Sequence, residues 1–209
     1  MLPPRAADII RFHAETLGEA GWPHSADAPP RHPGGVWHEI EANHRSNSLL
    51  WDEEDQARRR DVPDAAIATN KRRIDGFNQS RNDAIERIDE HLLAMLAAER
   101  PGFGTDRSLR LNSETAGSIC DRLSIVALKI RAMALQTART DASPEHVASC
   151  RARLDRLLEQ RNDLAACFDA LIDDCRAGRA YYKIYRQFKM YNDPTMNPYL
   201  YGAVSGAAG

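Results

Sequence analysis

The chain has 209 residues, of which 43% are hydrophobic and 28% charged, with a formal net charge of −2. It is long enough to bury a core, and its charge balance does not mark a nucleic-acid binder or a membrane-surface protein. No apolar run approaches the roughly 20 residues that cross a bilayer, and Met1-Leu2-Pro3-Pro4-Arg5 lacks a signal peptide's apolar stretch, so a cytoplasmic location is expected.

Residues 6–19 have the pattern of a short helix in which Ile9, Ile10, Phe12, His13 and Leu17 pack. The proline-rich stretch 21–35 reads as a loop, so residues 1–35 form an N-terminal unit. Four long helices are predicted next, over 36–60, 62–99, 113–140 and 144–177. Asp61-Val62-Pro63-Asp64 reads as a stop and restart, with a capping aspartate and a proline in the first turn. Asn112-Ser113-Glu114 and Ser143-Pro144-Glu145 read as the caps of the third and fourth helices, and Gly178 as the closing residue. The short connections within each consecutive pair predict two antiparallel hairpins. With no credible strand, the expected fold is all-α, an antiparallel four-helix bundle over 36–178.

Residues 71–89 and 151–169 resemble each other eighty positions apart: Arg73-Ile74-Asp75 recurs as Arg153-Leu154-Asp155, Arg81-Asn82-Asp83 as Arg161-Asn162-Asp163, and Ile88-Asp89 as Phe168-Asp169. A partial internal repeat of the hairpin is expected, and both copies carry an arginine on the apolar stripe.

The first long helix has no apolar stripe along its length, yet Trp37, Ile40, Leu50 and Trp51 turn one side to the protein. Some of Glu41, His44, Asn47, Glu54 and Asp55 are therefore expected inward or lining a cleft. Two accounts are open. In one, Arg81 and Arg161 pair with helix carboxylates in a structural network. In the other, Arg81, Arg161 and Lys129, with Asn47 and Trp51, receive a small anionic ligand, a phosphate or carboxylate. Glu41, His44 and Glu54 would then be the acid/base side and Asp121 an orienting carboxylate. Glu41-Ala42-Asn43-His44 has the ExxH spacing of di-iron helices, but the matching positions are Asp121 and Ser124, so the second motif is missing. A single divalent metal on Glu41, His44, Glu54 or Asp55 is the remaining cofactor reading.

Residues 179–209 form a tyrosine-rich segment and tail: Tyr181, Tyr182, Tyr185, Tyr191, Tyr199 and Tyr201, with Lys183, Arg186 and Lys189 among them. Packing or a lid is the preferred reading, ahead of nucleic-acid contact. Cys120, Cys150, Cys167 and Cys175 show no CxxC pair or zinc spacing and are expected reduced and buried.

Several of these segments together resemble a known family. They are Leu50-Trp51 with Glu54-Asp55 and Ala57-Arg58, Lys71-Arg72 with Ile74-Asp75 and Asn78-Gln79, and Arg81-Asn82-Asp83. Asn112-Ser113-Glu114-Thr115 with Gly117-Ser118 follows, then Asp121-Arg122-Leu123-Ser124-Ile125 running to Ala127-Leu128-Lys129-Ile130. Over roughly residues 36–190 the chain resembles bacterial proteins catalogued as domain of unknown function 4254. The resemblance implies a helical cytoplasmic protein whose relatives look like neighbours of glycosyltransferase and surface-polysaccharide functions, and it transfers no catalytic residues.

Two functions are expected in consequence. The first is a helical protein binding or acting on a phosphorylated sugar or nucleotide sugar in surface-glycan metabolism. The second is a non-catalytic adaptor that forms a homodimer or docks on a glycosyltransferase-type partner through its tyrosine-rich end.

Overall fold

The computed structural model describes residues 2–23, 25–100, 103, 108–187 and 193–201, without the side chains of residues 200 and 201. The fold is all-α. Its helices are α1 (Ala6–Leu17), α2 (Gly35–Gln56), α3 (Asp64–Glu99), α4 (Ala116–Thr137), α5 (Pro144–Ala177) and the short α6 (Pro198–Tyr201). The strand content of the described residues is one two-residue parallel pair, β1 (Arg110–Leu111) beside β2 (Ala180–Tyr181), which the sequence did not predict. Tyr191 and Lys189 lie outside the described residues.

Local chemistry explains both ends of α5. Ser143 accepts the His146 N–H at 3.2 Å, Pro144 supplies the first turn, and Gly178 closes α5 in the left-handed region at φ 69°. At several other ends the expected boundary moves. Pro63 keeps an extended backbone, ψ 149°, so α3 starts at Asp64 and no aspartate caps it. α4 is capped by Thr115, whose hydroxyl accepts the Ser118 N–H at 3.1 Å, while Asn112 bonds back to the Glu114 carbonyl. α2 ends at Gln56, leaving Arg58, Arg59 and Arg60 in the turn.

Two helix starts receive a capping group from elsewhere in the chain. Asp89 of α3 accepts the Gly117 N–H of α4 at 2.6 Å, and Asp169 of α5 accepts the Ala6 N–H of α1 at 2.9 Å. Both carboxylates answer the unpaired N–H groups and positive end of a helix N-terminus. Asp89 is buried, and burial pushes its pKa up to about 6 in spite of the bonds from Thr115 and Gly117. Helices α3 and α4 approach so closely here that a Cβ on Gly117 would lie 2.5 Å from the Ile85 carbonyl oxygen.

Helices α2 and α3 pack as one hairpin and α4 and α5 as another, with α4 against α2 and α3 and with α1 against α4 and α5. The continuous apolar core joins Ile9 and Phe12 of α1, Val36 and Ile40 of α2, and Ile88, Leu92 and Leu96 of α3. Ile119, Leu123 and Val126 of α4, Phe168 and Ile172 of α5, and Tyr182 complete it. The core thus lies toward the C-terminal halves of α3 and α5, whose N-terminal halves carry few buried residues. Cys120, Cys150 and Cys175 are buried and unpaired, but Cys167 is exposed: it falls beside the α5 stripe and not on it. Among the described residues no helix is long and apolar enough to cross a membrane.

Candidate functional site

The buried face of α2 is polar through its middle: Glu41, Asn43, His44, Arg45, Ser46, Asn47 and Ser48 are all buried. Burying so many polar groups is tolerable only if they find partners. Asp121 of α4 is the hub. Its Oδ1 accepts from Asn43 Nδ2 at 2.9 Å, Asn47 Nδ2 at 2.9 Å and Arg81 Nε at 2.8 Å, and its Oδ2 accepts from Arg81 Nη2 at 2.5 Å. The asparagines hold the carboxylate from α2, and the carboxylate holds the guanidinium of α3 in a two-point fork. This bond raises the Arg81 pKa above its ordinary value, against the opposing effect of burial. Asn47 Nδ2 also reaches Ser124 Oγ at 3.0 Å.

Above this hub a cleft of about 330 Å³ opens between α2, α3 and α4. Asn47, Trp51, Glu54 and Asp55 line it from α2, Asn78 and Arg81 from α3, and Ile125 and Leu128 from α4. Arg58, in the turn after α2, pairs across its rim with Glu54 at 3.3 Å and Asp55 at 3.8 Å. Five residues singled out in the sequence, Asn47, Trp51, Glu54, Asp55 and Arg81, are therefore brought together, with Asp121 directly behind Arg81.

The remaining candidates lie elsewhere. Glu41 is 1% exposed and holds down the preceding loop: its carboxylate accepts from the Arg31 N–H at 3.0 Å and from Arg45 Nη2 at 2.9 Å. His44 places Nδ1 2.7 Å from Ser124 Oγ, and its ring stacks on His13 at 4.3 Å and on Trp22 at 5.4 Å. Burial, then the neighbouring His13, keeps the His44 pKa well below the usual histidine value. Burial also lowers His13 to about 3, and neither of its ring nitrogens has a hydrogen-bond partner among the described residues. Arg161 contacts Asn162 and borders a cavity between α1 and α4, while Lys129 borders a groove between α4 and α5. Arg81, Arg161 and Lys129 thus do not converge on one point. Among the described residues no group of three or more His, Cys, Asp or Glu side chains is placed to hold a metal ion.

Sequence reading passed over Asn78 as a site residue and gave Asn43 and Ser124 no role in it. The only signal for Asn43 and Ser124 was their place beside Glu41, His44 and Asp121. Asn78 gave none beyond its place in the Asn78-Gln79 segment of the family resemblance, one turn before Arg81. The tyrosine-rich segment divides: Tyr181 and Tyr182 are buried, whereas Tyr185 is 73% and Tyr199 90% exposed. None of the cleft's lining residues is a tyrosine.

The family model described as "Protein of unknown function (DUF4254)" matches residues 37–184, most of the chain. The chain belongs to that family. The matched span begins inside α2 and ends just beyond β2, so it contains the whole cleft and its Asp121 hub. For this family member, no curated protein and no solved structure gives a match.

Proposed function

We propose that the protein binds a phosphorylated sugar or nucleotide sugar and that the α2–α3–α4 cleft receives the sugar ring. The observation that carries this reading is the fixed guanidinium at the cleft floor. Arg81 is anchored to Asp121 through Nε and Nη2, so Nη1 remains as a donor without a partner among the described residues. A donor held in place before the ligand arrives loses little freedom on binding. Around it, Trp51 offers an apolar ring face, and Asn47, Asn78, Glu54 and Asp55 offer the donors and acceptors that sugar hydroxyls require. Two carboxylates and two guanidiniums line the cleft, and Arg58 is turned to Glu54 and Asp55, so Arg81 is left for the phosphate and directional hydrogen bonds serve the sugar. Of the three acid/base candidates, Glu54 is the one that lines this cleft. The cytoplasmic, bacterial surface-glycan setting belongs to the same proposal.

The test is thermal unfolding against sugar phosphates, nucleotide sugars, free sugars and inorganic phosphate. A ligand at a hundredfold excess over its dissociation constant adds about 2.7 kcal/mol of stability. A melting-temperature rise is expected for a sugar phosphate, smaller for the free sugar and for inorganic phosphate, and absent in Asn78→Ala and Glu54→Ala. A flat response to the panel, or an equal response to inorganic phosphate alone, refutes the reading.

The exposed Tyr185 and Tyr199 favour a second reading, a docking surface for a partner protein or a second copy. Light scattering on the full chain and on Tyr185→Ser tests it: a dimer that the substitution weakens supports self-association, and a monomer in both refutes it.

A further inference from the structure

A second concavity, of about 590 Å³, lies between α4 and α5 and also has Trp51 in its lining. Its apolar surface includes Trp51, Met133 and Leu157, and Lys129, Arg153 and Arg156 line it as well, with no carboxylate among the lining residues. None of these three cations makes an ion pair or side-chain hydrogen bond among the described residues.

The matching place in the first hairpin is filled differently. There Glu53 of α2 is buried and accepts from Arg73 Nη1 of α3 at 3.1 Å and from Asn70 Nδ2 at 2.5 Å. Eighty positions further along the chain stand Met133 and Arg153, at the same separation that relates His44 to Ser124. Where Arg73 has the Glu53 carboxylate, Arg153 has no ion pair among the described residues, and Met133 gives the groove an apolar wall. Arg153 and Arg156 are exposed and stay hydrated without a counter-ion, so both are available to an anion that enters beside the apolar wall.

We propose that this groove binds a small amphiphilic anion, a single apolar chain or ring system carrying a phosphate head. The volume is in the range of small-molecule sites, about 300–1,000 Å³, which favours a small ligand over a partner helix. Two guanidinium forks and an ammonium match the several oxygens of a phosphate, while Trp51, Met133 and Leu157 take the apolar part out of water. This site is independent of the sugar-binding reading, with which it shares only Trp51.

The experiment is isothermal titration of the full chain with decyl phosphate below its micelle concentration. Decanol, inorganic phosphate, decyltrimethylammonium, an acidic amphipathic peptide and anionic phospholipid vesicles are run beside it. The expected result is saturable one-site binding of decyl phosphate, at least tenfold tighter than decanol or inorganic phosphate, with no binding of the cationic amphiphile. Arg153→Glu and Met133→Glu should each weaken it at least tenfold, the latter by giving Arg153 the carboxylate that Arg73 already has. Equal binding of decanol, no binding of decyl phosphate, or unchanged affinity in both variants overturns the proposal. So does tight binding of the peptide or the vesicles alone. Where a variant loses its helical circular dichroism, the selectivity of the unaltered protein decides. Asn78→Ala should leave this binding unchanged, so failure of the sugar cleft and failure of the groove are told apart.

Discussion

Asp121→Asn should be among the most damaging single-atom exchanges in this protein. The side chain is buried and accepts four hydrogen bonds, two of them from the Arg81 guanidinium. The amide that replaces it has the same size but no charge, and its NH2 end faces donors whichever way it is turned. Removing one partner of a buried ion pair costs about 3–5 kcal/mol. Arg81 keeps 27% of its side chain exposed and is partly rescued by water, which lowers the expectation to about 2–4 kcal/mol. For a chain of this size, each kcal/mol moves the melting temperature by roughly 2–4 °C, so a fall of roughly 5–15 °C is expected. Urea denaturation followed by circular dichroism, with an unchanged m-value, gives the free energy directly. The decisive comparison is the double variant Asp121→Asn/Arg81→Met. It takes away the stranded cation and should be less unstable than the two single effects summed, by about 1–3 kcal/mol. A loss below about 0.5 kcal/mol for Asp121→Asn, or strict additivity in the double variant, would show that the hub does not hold these helices together.

Gly117→Ala drives a methyl into the Ile85 carbonyl and the Asp89 carboxylate, and should cost about 1–3 kcal/mol; a melting point within experimental error of the parent would mean that α3 and α4 are not so closely packed. Thr115→Ala removes the α4 cap and should cost about 1 kcal/mol in the same assay, with unchanged stability counting against the cap. Acid should weaken the fold through His13: unfolded, it titrates near its ordinary 6.5, but folded only at about 3, so the unfolded chain binds the extra proton between these values. Its contribution is whole above the unfolded value and is lost as pH falls toward 3, at about 1.4 kcal/mol per pH unit, and His13→Phe should flatten that slope. Asp89 acts with the opposite sign: its folded pKa of about 6 exceeds the ordinary 3.8, so its contribution is present at low pH and lost as pH rises through that window. Stability curves of Asp89→Asn against pH should lack this loss, and a curve that superimposes on the parent's would refute the assignment.

Helix content, helix order and several helix ends were determined by the sequence through short-range effects. Ser143 with Pro144, and Gly178, are capping residues whose partners lie within one turn, so no other part of the chain is needed to read them. The interrupted stripe of α2 was legible for a similar reason: Asn47 and Glu54 sit among Leu50 and Trp51 on a face that must turn inward, and all four line the cleft. Arg81 was legible as a charge on an apolar stripe.

Its partner was not. Arg81 meets Asp121 while Glu41, an acid on the polar face of α2, meets Arg45 and the Arg31 backbone, and no periodicity distinguishes these outcomes. The same holds for Asp89 and Asp169, which cap helix N–H groups 28 and 163 positions away. Asn78 lines the cleft only because α2 and α4 leave space above it. A helix forms from hydrogen bonds four residues apart and can be read from its own segment. A cleft is made by the angles and distances between helices, which arise from all their side chains packing at once, and so only the tertiary structure decided where this one opens and which groups face it.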